Sequence, residues 1–431
     1  MNKNIILLDK SHRFYLLLSL LIIYFSGTTQ VYSYFQDTNN DYTEYKAYVL
    51  DSQTRSTLTS ASISVIGTNI STVTNDEGEF LLKVSNTLEN PSILVSYLGY
   101  QDRIIPLTEF NGKTIQIKLT PSIVELSEIK ISLADPETLI REVLKRKGSN
   151  YLDHNTIMTA FYRETIKRRR AYVSLSEAVV DLYKNPYGSP KTDLIKLFKA
   201  RKSANYKKLD TVTLKLQGGP TSTLYLDVMK NPEILFTNNM TEVYEFSYDK
   251  STQINDRRIY VVNFKQRPTI KEPLYFGKLY IDAETLAMTK AKYSLNVEDK
   301  DEVSRMLVRK KPLGAKVHLT LASYNIDYKQ KGGKWYYSYG RIDLNVKIKW
   351  KRKLFNSTYK LNAEMAITNW KKNINNETLK LRDRLKSSIV ISDAAAGFSD
   401  PIFWGEYNVI EPEKPIESAI KKIQKQLQKI N

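Results

Sequence analysis

Few side chains in this sequence of 431 residues are set out for chemistry. Zinc-dependent hydrolysis needs three nitrogen, oxygen or sulfur ligands and a carboxylate that works on the bound water. The sequence has three histidines (His12, His154 and His318) and no cysteine. His154 follows Tyr151-Leu152-Asp153 and His318 falls on the polar side of an alternating run, so both read as surface residues. Neither has a serine and an acid placed for a nucleophilic triad. Gln217-Gly218-Gly219-Pro220 lacks the strand, loop, helix and lysine that cradle a phosphate, and reads as a structural turn. Asp299, Asp301 and Glu302 lie in an acidic loop without calcium-loop spacing, and read as a solvated turn. No metal and no cofactor is expected, and the chain is expected not to be an enzyme.

Its cations point to binding instead. Lys and Arg number 65 against 46 Asp and Glu, a formal charge of +19. The clusters singled out for contact with an anionic surface are Lys167, Arg168, Arg169 and Arg170, and Lys349, Lys351, Arg352 and Lys353. Others are Lys199, Arg201, Lys202, Lys207 and Lys208, and Arg309, Lys310 and Lys311. If strand ends gather at one rim, these groups build a positive edge; ordinary solvated turns and lysine-guarded sheet edges are the plainer account. The partners expected are an envelope protein, a lipid or an anionic glycan, with peripheral membrane contact but no nucleic acid.

The elements that must hold these residues are mostly strands. Tyrosines number 29, and tyrosine suits half-buried sheet faces. Residues 1–33 have a basic start and a short apolar run from Phe14 to Phe25, the pattern of a cleaved export leader. With no cysteine there is no lipid-anchored one, so the expectation is an exported protein of the periplasm or outer membrane that is not a lipoprotein. A lead-in at 34–42 precedes an all-β stretch at 43–132, with short Val, Ile and Thr runs and turn residues between them. A linker at 133–136 follows, and Asp135-Pro136 opens a helix. The rest, 137–431, is β-rich. It includes a hairpin of Ile157–Ile166 with Ala171–Tyr183, a short helix over Thr221–Met229, and long alternating runs between Ala315 and Trp370. A change of phase predicts a β-bulge near Ala322-Ser323. An amphipathic helix is expected over 415–430.

Within the first β-stretch, Val49-Leu50-Asp51, Ala61 to Thr68, Thr74-Asn75-Asp76-Glu77-Gly78-Glu79-Phe80, Val95 to Tyr100 and Leu126 to Ile129 occur in a telling order. The segment Ala47–Ile131 resembles the carboxypeptidase-regulatory-like domain at the N-terminus of many Gram-negative envelope proteins, TonB-dependent receptors among them. Ala47 stands where that family usually has Gly, and Thr59-Ser60 where Pro-Gly is common. The resemblance implies a non-catalytic transthyretin-like or Ig-like sandwich of seven or eight strands. Phe161 to Thr165, Gln217 to Pro220 and Phe403-Trp404-Gly405-Glu406-Tyr407 resemble the partner region of exported proteins that carry this domain. Gly277 to Asp282 and on to Tyr293 is similar to a hairpin of periplasmic lipoprotein carriers, which implies an open half-barrel around a lipid cavity. The fold class expected is mainly β, a small sandwich and a larger antiparallel domain with a few helices. The function expected is envelope binding or scaffolding. The alternatives are a lipid or lipoprotein carrier, a hydrolase of envelope glycans working through Asp, Glu, Tyr or Lys, and a small outer-membrane barrel.

Overall fold

Alternation of apolar and polar residues produces two small sheets and one large one. The computed structural model describes residues 41–122, 135–169, 171–204, 216–236, 239–254, 257–309, 311, 313–351, 356–397, 403–414, 416 and 418. The expected leader, the lead-in up to residue 40, linker residues 133–134, Arg170, Lys207, Lys208, Lys310, Arg352, Lys353 and all but the opening of the expected C-terminal helix lie outside the described residues.

The sandwich consists of β1 (Tyr42–Asp51), β2 (Ser62–Val65), β3 (Ser71–Val73), β4 (Glu79–Ser85), β5 (Ser92–Ser96), β6 (Arg103–Pro106) and β7 (Ile115–Leu119). One sheet has the order β4-β1-β7 and the other β3-β2-β5-β6. Every second residue points inward: Ala47, Val49, Ile63, Val65, Phe80, Leu82, Ile93 and Val95 are buried together. Each larger apolar side chain contributes about 1.5–3 kcal/mol by leaving water. The turn into β4 is built by its own residues. The Asn75 Oδ1 accepts from the backbone N–H groups of Glu77 and Glu79, each at 2.9 Å. Gly78 has φ +73°, and a Cβ there would stand 2.8 Å from the Val49 carbonyl oxygen, so only glycine fits. β1 begins at Tyr42, so the last residue of the expected lead-in belongs to the strand.

The large sheet contains β8 (Thr156–Arg168), β9 (Ala171–Lys184), β10 (Leu194–Ala204), β11 (Tyr244–Ile254), β12 (Arg257–Gln266), β13 (Tyr275–Asp282), β14 (Met288–Leu295), β15 (Ala315–Lys331), β16 (Lys334–Trp350), β17 (Ser357–Lys372) and the two-residue β18 (Ala396–Gly397). Their order is β11-β12-β13-β14-β15-β16-β17-β8-β9-β10-β18, so among the described residues β11 and β18 are edges and the sheet does not close into a barrel. One face carries α1 (Pro136–Lys145), α2 (Pro220–Tyr225) and α3 (Lys300–Leu307). Asp135 caps α1, accepting from the Thr138 N–H at 2.9 Å, with Pro136 in the first turn. Leu139, Ile140 and Val143 are buried in the same apolar layer as Met158, Val180, Leu279 and Met365 of the sheet, and the helix lies against β11. A charged network lies in this apolar layer. Asp227 accepts from Lys184 Nζ at 2.7 Å, Tyr187 at 2.8 Å and Tyr328 at 3.0 Å, pinning the segment after α2 to the sheet.

Four details differ from the sequence reading. Asp299 is no loop residue but the cap of α3, accepting from the N–H groups of Asp301 and Glu302; these two acids occupy a first turn, where the helix dipole favours them. The bulge expected near Ala322-Ser323 is present slightly earlier in β15, between Leu319 and Leu321, where Thr320 is the extra residue. The helix expected over Thr221–Met229 is shorter, ending at Tyr225. His318 is half-buried beside Lys347 of β16.

Candidate functional site: a lysine-lined cleft between sandwich and sheet

The face of the large sheet opposite the helices carries the sandwich. Asp76, from the Asn75–Gly78 turn, accepts from Arg341 at 2.6 and 3.2 Å in a bidentate pair. Burial works to raise the Asp76 pKa, but the Arg341 guanidinium holds it below the ordinary value. Asn69 Nδ2 donates to the Trp370 carbonyl at 2.7 Å and Ser71 Oγ to the Ile367 carbonyl at 2.9 Å. At the other side of the footprint, the Gly99 N–H reaches the Gln253 carbonyl of β11 at 2.7 Å.

A strap, residues 403–414, ties the two parts together. Trp404 packs edge-on against Phe161, and the buried Arg163 donates to the Ile410 carbonyl at 2.7 Å. From the sandwich, Lys46 pairs with Glu411 at 2.7 Å. Asn408 grips the backbone of β4, its Oδ1 accepting from the Lys83 N–H at 2.7 Å and its Nδ2 donating to the Lys83 carbonyl at 3.0 Å. Beneath the strap, Arg163 and Arg201 hold Glu177, which is fully buried.

Between these attachments the sandwich stands off the sheet and leaves two adjoining cavities of about 160 and 360 Å³ that share Tyr97, Leu98 and Lys290. Six lysines (250, 278, 290, 292, 329 and 331) line them against two aspartates, Asp249 and Asp327. Strand register assembles the group. Lys278 lies opposite Lys292, Tyr280 opposite Lys290, and Lys290 opposite Asp327. Lys278 pairs with Asp249 at 2.6 Å, and Lys290 pairs with Asp327. Lys329 donates to Ser64 Oγ at 3.2 Å, and Lys331 to the Thr68 carbonyl. Among the described residues, Lys292 has no ion pair. The nearby Lys290 charge and burial together push the Lys292 pKa down. Burial brings Lys329 down to about 8, with Asp327 opposing. Cations held at this cost are stabilised by an incoming anion, and Tyr97 and Tyr280 line the same walls.

The structure gathers some of the residues singled out from sequence at one place, and it is not this cleft. Arg168 pairs with Tyr359 and Ile348 with Ser357, so Lys167, Arg168, Arg169, Lys349 and Lys351 stand at one end of the sheet. Lys199, Arg201 and Lys202 belong to β10 and hold the Phe403 carbonyl, Glu177 and the Ser392 carbonyl, respectively. The cleft lysines were missed because they come singly or in pairs two apart in four strands; only pairing brings them together. Lys290 and Lys292, flanking buried Ala291, were the visible hint.

Residues 46–131 match the family model of the CarboxypepD_reg-like domain. Among curated proteins none matches this chain. Three solved structures share about a tenth of their aligned residues with it. The crystal structure of MucB in complex with MucA(peri) is 10% identical, with 55% of this chain and 99% of that chain covered and a TM-score of 0.18. A DUF1329 family protein from Desulfovibrio piger is 10% identical over 55% and 91%, with a TM-score of 0.21. A LolA superfamily protein from Nitrosomonas europaea is 10% identical over 59% and 98%, with a TM-score of 0.19.

Proposed function

From a CarboxypepD_reg-like domain at residues 46–131 fixed to a β-rich region, we propose that this is an exported, non-catalytic binding protein that holds an anionic saccharide in the cleft between the two. The observation that carries this reading is the six-to-two excess of lysine over aspartate on the cleft walls, with Tyr97 and Tyr280 among them. Ammonium groups recognise carboxylate or phosphate, and tyrosine rings stack on the apolar face of a pyranose. The sandwich serves as one wall and supplies Ser64, Thr68 and Tyr97. Export rests on the leader-like pattern of residues 1–33.

The test is native mass spectrometry of the protein purified from the envelope, beside the variant Lys292→Glu/Lys329→Glu. Stoichiometric anionic saccharide on the first and none on the second supports the reading. An equal load on both removes the cleft from it. A bound neutral lipid supports the carrier alternative instead, and turnover of envelope glycan by the pure protein ends the non-catalytic reading.

A further inference from the structure

The end of the large sheet beyond the sandwich has a different character. On the sandwich side, register sets Lys316 of β15 opposite Lys349 of β16, and Lys360 of β17 opposite Lys167 of β8. Lys347 lies opposite both His318 and Thr358. Lys316, Lys347, Lys349, Lys351 and Lys360 are all exposed. Among the described residues, none of these five forms an ion pair with a carboxylate. Like charges directly opposite one another on a sheet are destabilising, so this terrace is held at a cost that a facing anionic surface removes.

Apolar side chains crown the same end. α3 lies on the helix side against Ala315 and Val317 through Val303, and its last turn presents Met306 and Leu307 to solvent. The chain then passes Arg309 and Lys311, both exposed, to Leu313, which is fully exposed. The Lys351 N–H donates to the Gly314 carbonyl at 3.0 Å, which fixes this loop to the end of β16 and its lysines. A soluble surface gains nothing from a bare leucine on a loop that carries Arg309 and Lys311 and is tied to Lys351. An anionic bilayer meets both features, with acyl chains for the apolar tip and headgroups for the lysines.

We infer that this end of the sheet docks on an anionic membrane surface, with Leu313, Met306 and Leu307 entering the acyl boundary and the lysine terrace lying on the headgroups. The inference is independent of the cleft. Its test is co-sedimentation of the full chain with phosphatidylcholine vesicles, with and without phosphatidylglycerol. Binding is expected only to the anionic vesicles and weakens as salt rises. Each Lys→Gln change at 316, 347, 349 or 360 lowers affinity roughly fivefold, and Leu313→Ser lowers it roughly tenfold. All these positions are exposed, so an unchanged melting temperature shows that the fold is kept. If a lysine variant loses the fold, Leu313→Ser and the salt dependence decide. Lys292→Gln in the cleft leaves vesicle binding as it was. No binding to the anionic vesicles overturns the inference, as does binding indifferent to both sets of changes. Binding to soluble dextran sulfate that is blind to Leu313 replaces the membrane with a polyanion and equally overturns it.

Discussion

Glu164 is buried on the helix side of β8, where Tyr162 donates to it at 2.9 Å. Burial pushes its pKa from 4.5 up to about 7, with the Tyr162 hydrogen bond pulling the other way. A carboxyl raised in the folded state keeps a proton there that the unfolded chain has lost, so stability falls as pH rises from about 4.5 through about 7. Glu164→Gln is expected to flatten that slope and to stabilise the protein at pH 8 by about 2 kcal/mol, read from urea denaturation at pH 5 and pH 8. At this scale the sequence is eloquent about local chemistry and silent about distant chemistry. The Asn75–Gly78 turn was legible because its hydrogen bonds run within four residues. The role of Asp76 was not, because Arg341 is 265 positions away. The same holds for the cleft lysines, whose neighbours are set by strand pairing.

Strands and helix starts were legible where period and caps agree, as in β8, β9 and α1. Their partners were not. β17 pairs with β8 and β10 with β18, and periodicity says nothing about such pairings. The strap shows the limit most clearly. Phe403 to Tyr407 stood out in the sequence as a resemblance, yet the segment has no strand or helix to announce that it joins two parts of the molecule. Its contribution is measurable. Asn408→Ala removes two hydrogen bonds to β4, leaves the Lys83 backbone groups unsatisfied, and is expected to cost about 2 kcal/mol in chemical denaturation. Asn408→Asp keeps the acceptor and loses the donor, and is expected to fall between.

Across the whole molecule, sandwich and sheet are joined by Asp76–Arg341, by the Ser71 hydroxyl of β3 and by the strap, so they are expected to unfold together. All four tryptophans, at 335, 350, 370 and 404, lie outside the sandwich. Tryptophan fluorescence therefore follows the sheet, the strap and their seam with the sandwich, whereas far-ultraviolet circular dichroism also follows the interior of the sandwich. The two transitions are expected to coincide in the native chain and to separate in Arg341→Met combined with Asn408→Ala. Separate transitions in the native chain refute this coupling. The Asn408 clasp has one further consequence. β4 is an outer strand of its three-stranded sheet, and the asparagine amide imitates a neighbouring strand for one residue on a margin that needs one. The sandwich is thus not a freely portable cassette. Cut out at its borders and grafted elsewhere, it carries a bare strand margin that invites self-association, unless the host supplies a clasp of its own.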